Sequence, residues 1–233
     1  ENILKNISKK FDTFIYMPTI IKVNYNNLFL SKAKESVVKY NIKGFVISNI
    51  GNIYLLNDLF EDLNKNFKLI SNYTLNVYNS NTVLELKKLG ISRFTISPEL
   101  DKDTITSLSD YNYLQKELIV YGKVPVLNIN YCLLGKTNKC YPTCNSDCVK
   151  DNSYYLKDRL NMKFKVVPDN IQSVTTIYNS KITSISPKDF NIDFARIDIL
   201  DESIDEINTI VKLIKSGQRL EGKEYTNGNL NRD

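Results

Sequence analysis

The chain has 233 residues, 42% of them hydrophobic, enough to bury one large core or two small ones. Its formal charge of +5 is spread without a block of consecutive Lys or Arg, so it permits an anionic partner without demanding one. With 0 His and 0 Trp, the composition excludes a Ser-His-Asp triad, a Cys-His pair, an HExxH zinc site and imidazole-ligated iron.

In chain order, the apolar, β-branched runs at 14–21, 44–50, 69–78, 93–100 and 117–122 predict strands. Helical patterns fall between them at 30–40, 53–66, 81–90 and 101–111, with Leu84, Leu86 and Leu89 on one stripe and Gly90 as its stop. Then come a strand at 124–131, a cysteine-rich segment, strands at 163–168, 174–180 and 193–200, and a helix at 201–217. About eight principal strands alternating with helices fit an irregular TIM-barrel-like (β/α)8 domain with a Cys-rich loop after strand six. An open doubly wound sheet shares that alternation. Polar residues recurring at strand ends favour the barrel, because they would line one mouth. Asn49, Asn76, Glu99, Asn130, Asn179 and Asp198 are such residues.

All four cysteines lie in "YCLLGKTNKCYPTCNSDC", as Cys132, Cys140, Cys144 and Cys148. Four thiolates on one bending segment can surround a single metal centre, which suits an iron-sulfur cluster or zinc. Two disulfides or free thiols are the other readings. The sequence shows no export signal and no apolar run of about 18 residues, so a reducing, cytoplasmic setting without a membrane is expected. A chain that opens on Glu1 and stops at "NGNLNRD" reads as one domain excised from the C-terminal part of a longer protein, with a cysteine loop at 132–152.

Other polar residues have two readings each. Asp158 and Arg159 could hold an anionic substrate or form a solvated turn. Asn76 and Asn79 could bind substrate amides, or Asn79 could cap the helix that follows. Glu99 could be an acid or base at a strand terminus or an ordinary turn residue. Arg196 and Asp198 alternate on one strand face, as a ligand site or as an ion pair.

The succession "GFVISNIGN", "LNVYNSNTVLELKKLGISRFTISPEL", "IVYGKVPVLNINYC", "YYLKDRLNMKFKVVPD", "TTIYNS" and "ARIDILDE" resembles the collagenase-like peptidase family, peptidase family U32, from about residue 14 to the end. The resemblance implies a TIM-barrel-like domain with an oxygen-sensitive four-iron four-sulfur cluster. Cys132 matches the family cysteine after a strand, and Cys140 and Cys144 match the pair before the "L-x-DR" motif. Some members take their last ligand near the "IYNS" strand, where this chain has Ser173, and Cys148 offers the fourth thiol instead. The family is named for proteolysis, while other members are similar to factors for oxygen-independent hydroxylation of ribosomal or transfer RNA. This chain shows no G-x-S-x-G and no aspartic-protease motif, so the resemblance points to RNA modification first and to a peptidase second. The expected partners are RNA or a peptide and the remaining N-terminal part of the same protein. A non-catalytic RNA-binding or scaffold domain is the third reading.

Overall fold

Parallel strands cannot be joined by tight turns, so each pair needs a crossover, and the first half of the chain supplies one helix per crossover. The structure is a computed structural model that describes residues 2–63, 67–137, 140, 144–146, 148 and 153–231. The chain packs as two units, Glu1–Leu118 with Phe190–Phe194, and Ile119–Asp189 with Ala195–Asp233. No helix among the described residues is long and apolar enough to cross a membrane.

In the first unit, α1 (Asn2–Lys10) precedes β1 (Thr13–Tyr16), β2 (Ile42–Ile47), β3 (Lys68–Ser71), β4 (Ile91–Thr95) and the start of β5 (Gln115–Gly122). These strands pair in sequential order, all parallel. The crossovers carry α2 (Asn26–Lys39), α3 (Gly51–Leu63), α4 (Ser80–Lys88) and α5 (Lys102–Ser109). Sequential order is the barrel-type succession and lacks the order reversal of a doubly wound sheet. Phe45, Ile47, Leu56, Ile70 and Phe94 are buried in the core, and Phe45, Phe60 and Phe67 meet with ring centroids 5.1 to 6.0 Å apart. Gly44 lets β2 come close to β3, because a Cβ there would run into the Lys68 carbonyl.

Local chemistry sets the boundaries. Asn52 Oδ1 accepts from the Ser48 and Asn49 amides, so α3 starts at Gly51, two residues before the apolar pattern does. The last residues of the predicted 53–66 helix, 64–66, lie outside the described residues. Asn79 and Asp101 cap α4 and α5 through the Thr82 and Thr104 amides. Gly90 ends α4 as expected, at φ 83 with its amide on the Lys87 carbonyl. The run 69–78 is not one strand. It leaves the sheet after Ser71 through a 3-10 turn at Tyr73–Leu75, and Asn76 takes a left-handed φ of 53.

The second unit departs from an eight-fold strand-helix repeat. There β5 continues antiparallel to β10 (Ile182–Ser184), which pairs in parallel with β12 (Tyr225–Thr226), and β11 (Phe194–Ile197) also pairs with β5. A separate antiparallel sheet has the order β6-β9-β8-β7, from β6 (Pro125–Ile129), β7 (Tyr154–Lys157), β8 (Lys163–Asp169) and β9 (Val174–Tyr178). The strands expected at 163–168 and 174–180 are therefore present as β8 and β9, paired antiparallel. The fold is mixed α/β, and among the described residues the parallel succession stops at β5 instead of continuing to eight strands. The single turn α6 (Leu134–Thr137) follows β6, and α7 (Ile204–Lys215) starts from a capping box between Ser203 and Glu206.

Candidate functional site

In the second unit the backbone around Cys132 is pinned by one hydroxyl. Thr175 on β9, buried at 1% exposure, donates its Oγ1 to the Tyr131 carbonyl at 3.0 Å and accepts from the Leu133 amide at 3.2 Å. Cys132 is thereby held between two fixed neighbours, three residues beyond β6. Asn170 Nδ2 tethers the far side of the cysteine segment, donating to Ser146 Oγ at 3.2 Å. Cys140 donates its amide and its thiol to the Gly135 carbonyl, at 3.1 and 3.7 Å.

The four thiols sit in graded environments. Cys148 is buried, Cys132 and Cys140 are half-buried and Cys144 is exposed. Burial pushes the Cys148 thiol pKa up, and the neighbouring thiols of Cys132, Cys144 and Cys140 push it further. All three therefore lie within electrostatic reach of Cys148. The donor set, four soft thiols from one segment, matches the chemistry of a tetrathiolate centre. The arrangement does not close around an ion: among the described residues no three Cys, Asp or Glu side chains are placed to hold a metal. Residues 138–139, 141–143, 147 and 149–152 of the predicted loop lie outside the described residues.

The other residues singled out by sequence have local structural partners. Asn49 Oδ1 accepts from the Gly51 amide, Asn79 caps α4, and Asn76 turns the chain. Asp158 Oδ1 accepts from the Leu160 and Met162 amides at 2.8 and 2.9 Å, which organises the β7–β8 turn and leaves Arg159 exposed at its tip. Asn179 Oδ1 accepts from the Lys181 amide, in the turn between β9 and β10. Arg196 Nε meets Asp198 Oδ1 at 2.6 Å, an ion pair along one strand. Glu99 accepts from the Tyr78 hydroxyl at 2.6 Å, and this bond, followed by burial, raises the tyrosine pKa.

Strand ends in the first unit do carry a polar cluster, but its hub is Asn72 rather than Asn76. Asn72 is fully buried just past β3, and its Nδ2 faces Tyr16 Oη at 2.7 Å, Thr74 Oγ1 at 3.2 Å and Ser48 Oγ at 3.4 Å. Thr74 completes the network by donating to the Ser48 carbonyl at 2.7 Å. The ends of β1, β2 and β3 are thus tied together by side chains. Asn72 lies inside the run 69–78 that the sequence predicts as one strand, so nothing in the sequence set it apart from the turn asparagines.

Within the second unit there is also a pocket of about 420 Å³. Tyr121 and Tyr225 form one part of its wall, Glu202, Asp205 and Glu206 another, and Ile210 contributes to an apolar floor. Tyr121 donates to Glu202 Oε1 at 3.1 Å, and burial followed by the Glu202 charge raises its pKa. Tyr225 is raised by burial first and then by the Glu224, Glu206 and Glu202 carboxylates. The pocket is electronegative, and its residues are spread from 121 to 225, too far apart to be seen as a motif.

Among known families, the model described as peptidase family U32 matches residues 10–212 of this chain. Among curated proteins and solved structures there is no match.

Proposed function

Because the chain belongs to peptidase family U32, we propose that Cys132, Cys140, Cys144 and Cys148 hold a four-iron four-sulfur cluster and that the protein supports oxygen-independent hydroxylation of ribosomal or transfer RNA. The observation that carries the cluster assignment is the confinement of all four cysteines to one segment, 132–148, whose start is pinned on both sides of Cys132 by Thr175. The RNA role rests on the family resemblance. Such a cluster, when bound, supplies single-electron chemistry. The chain's own residues do the rest: Thr175 fixes the backbone on both sides of Cys132, and the burial of Cys148 keeps water from one ligand. Zinc is the alternative occupant of the same thiols.

Purification without oxygen followed by iron and sulfide analysis tests the cluster. About four of each per chain are expected. Stoichiometric zinc without iron, or a stable pair of disulfides, overturns the assignment. For the role, the modification of ribosomal and transfer RNA is compared in cells carrying the intact gene or the Cys144→Ala variant, with loss of one hydroxylated nucleotide expected.

The second reading is peptide cleavage. It draws on the family's description and on the electronegative pocket, whose carboxylates and tyrosine walls suit a basic peptide side chain. Unchanged RNA modification in the Cys144→Ala strain, together with cluster-independent cleavage of Lys- or Arg-containing peptides, would reverse the order of the two.

A further inference from the structure

The β7–β8 hairpin, residues 154–169, carries Lys157, Arg159, Lys163 and Lys165 against the acids Asp158 and Asp169, a net +2. The carboxylate of Asp158 is engaged with two turn amides. Lys165 pairs with Asp201, whereas Lys157, Arg159 and Lys163 are exposed. Lys157, Arg159 and Lys163 therefore give the turn end of the hairpin an exposed local positive charge.

Strand register puts these charges beside an aromatic ring on one face. Tyr155 lies opposite Lys165 and Lys157 opposite Lys163. The adjoining β9 pairs Ile177 with Val166 and Thr176 with Val167, so alternation brings Thr176 and Tyr178 to the same face as Lys165. None of the residues on this face is buried, while Val166, Thr175 and Ile177 on the opposite face are. Tyr155 is 48% exposed. An open sheet face with lysines at cross-strand spacing and an exposed tyrosine offers charge for phosphates and a stacking platform for a base. Only an unpaired base can present its ring to such a platform, which selects single strands over duplex.

We infer that this hairpin face is the docking surface for a single-stranded RNA segment, with Lys157 and Lys163 on phosphates and Tyr155 stacked on a base. The RNA identity of the partner rests on the proposed function; the charge and stacking chemistry do not depend on the cysteines.

The test is fluorescence anisotropy of the full chain with a labelled, unstructured RNA of about 12 nucleotides, one site's length, over a series of salt concentrations. Neutralising both lysines, Lys157→Gln with Lys163→Gln, weakens binding and lowers the slope of log K against log salt by about 1.4, at about 0.7 per phosphate contact. Tyr155→Ala weakens binding about tenfold and leaves that slope unchanged. All three positions are exposed, so circular dichroism of the variants matches that of the parent. The exposed Lys34→Gln, in the other unit, is the control and leaves affinity as it was.

Equal losses in Lys34→Gln and the hairpin variants overturn the assignment, as do hairpin variants that bind like the parent. Duplex RNA bound as tightly as the single strand also overturns it. So do phosphatidylserine vesicles that displace the RNA, an outcome the exposed Leu156 and Leu160 would favour. RNA binding retained by Cys144→Ala, or by protein lacking iron, separates failure of the cluster from failure of this surface.

Discussion

Arg93 and Glu117 face each other across β4 and β5 with their side chains only 13% and 10% exposed, and Nε lies 3.4 Å from Oε2. The guanidinium is also stacked between rings, with its carbon 4.0 Å from the Phe194 centroid and 5.5 Å from that of Phe14. Thr95 Oγ1 donates to the other carboxylate oxygen at 2.9 Å. Removing one partner from a buried pair leaves a desolvated charge, so Glu117→Ala lowers unfolding free energy by about 3 kcal/mol. Glu117→Gln keeps an acceptor for Thr95 and loses less. Urea unfolding of the two variants beside the parent checks the ranking; equal loss would assign the whole effect to charge, because Gln keeps the packing and the acceptor. The ion pair could not be read from sequence, because Arg93 and Glu117 each open a predicted strand and only the pairing of β4 with β5 brings them together.

The capping box of α7 makes an element-scale prediction with a definite sign. The Ser203 side chain and amide hold the Glu206 pKa below its ordinary value. A depressed carboxylate contributes stability above its unfolded pKa, and that contribution is lost as pH falls through the lower folded value. Ser203→Ala costs about 1 kcal/mol at neutral pH, as loss of an N-cap does. Urea midpoints measured from neutral to acid pH converge for parent and Glu206→Gln as Glu206 protonates; parallel curves would sink this. The predicted helix 201–217 narrows to Ile204–Lys215 because Ser203, in the Ser-x-x-Glu spacing of "SIDE", caps it. Other elements were less legible for the same physical reason in reverse. β10 has three residues and β12 two, too few to show any period, and β7 alternates too weakly, with three of its four residues exposed.

At the scale of the whole molecule, the confinement of every thiol to one segment turns total alkylation into a report on one site. In metal-free protein at neutral pH, Cys144 reacts first, being exposed, and Cys148 last, because burial and its neighbours hold it as the thiol. Mass spectrometry after timed iodoacetamide treatment reads the order, and protein carrying the proposed cluster would take up none until chelated or unfolded. Rapid labelling of Cys148 would remove the basis for its place at the centre of the site. The cysteines were legible because cysteine is scarce here. The first half of the fold was legible because β-branched runs and amphipathic helices alternate at regular spacing. The second half was not, since antiparallel strands of four to seven residues have the same composition as parallel ones and only pairing tells them apart. The Asn72 hub was missed because burial, not residue type, distinguishes it from the turn asparagines around it.

Among the described residues the margins of the antiparallel sheet are β6 and β7. One begins with Pro125, which has no amide to donate, and the other is four residues long and ends in Lys157. Neither margin invites an added strand from another chain. A visitor to this sheet must be recognised across its face, by side-chain identity, rather than along its rim by the main-chain ladder that any sequence can supply. Substitutions on that face can therefore retune what is bound without altering how the sheet is assembled.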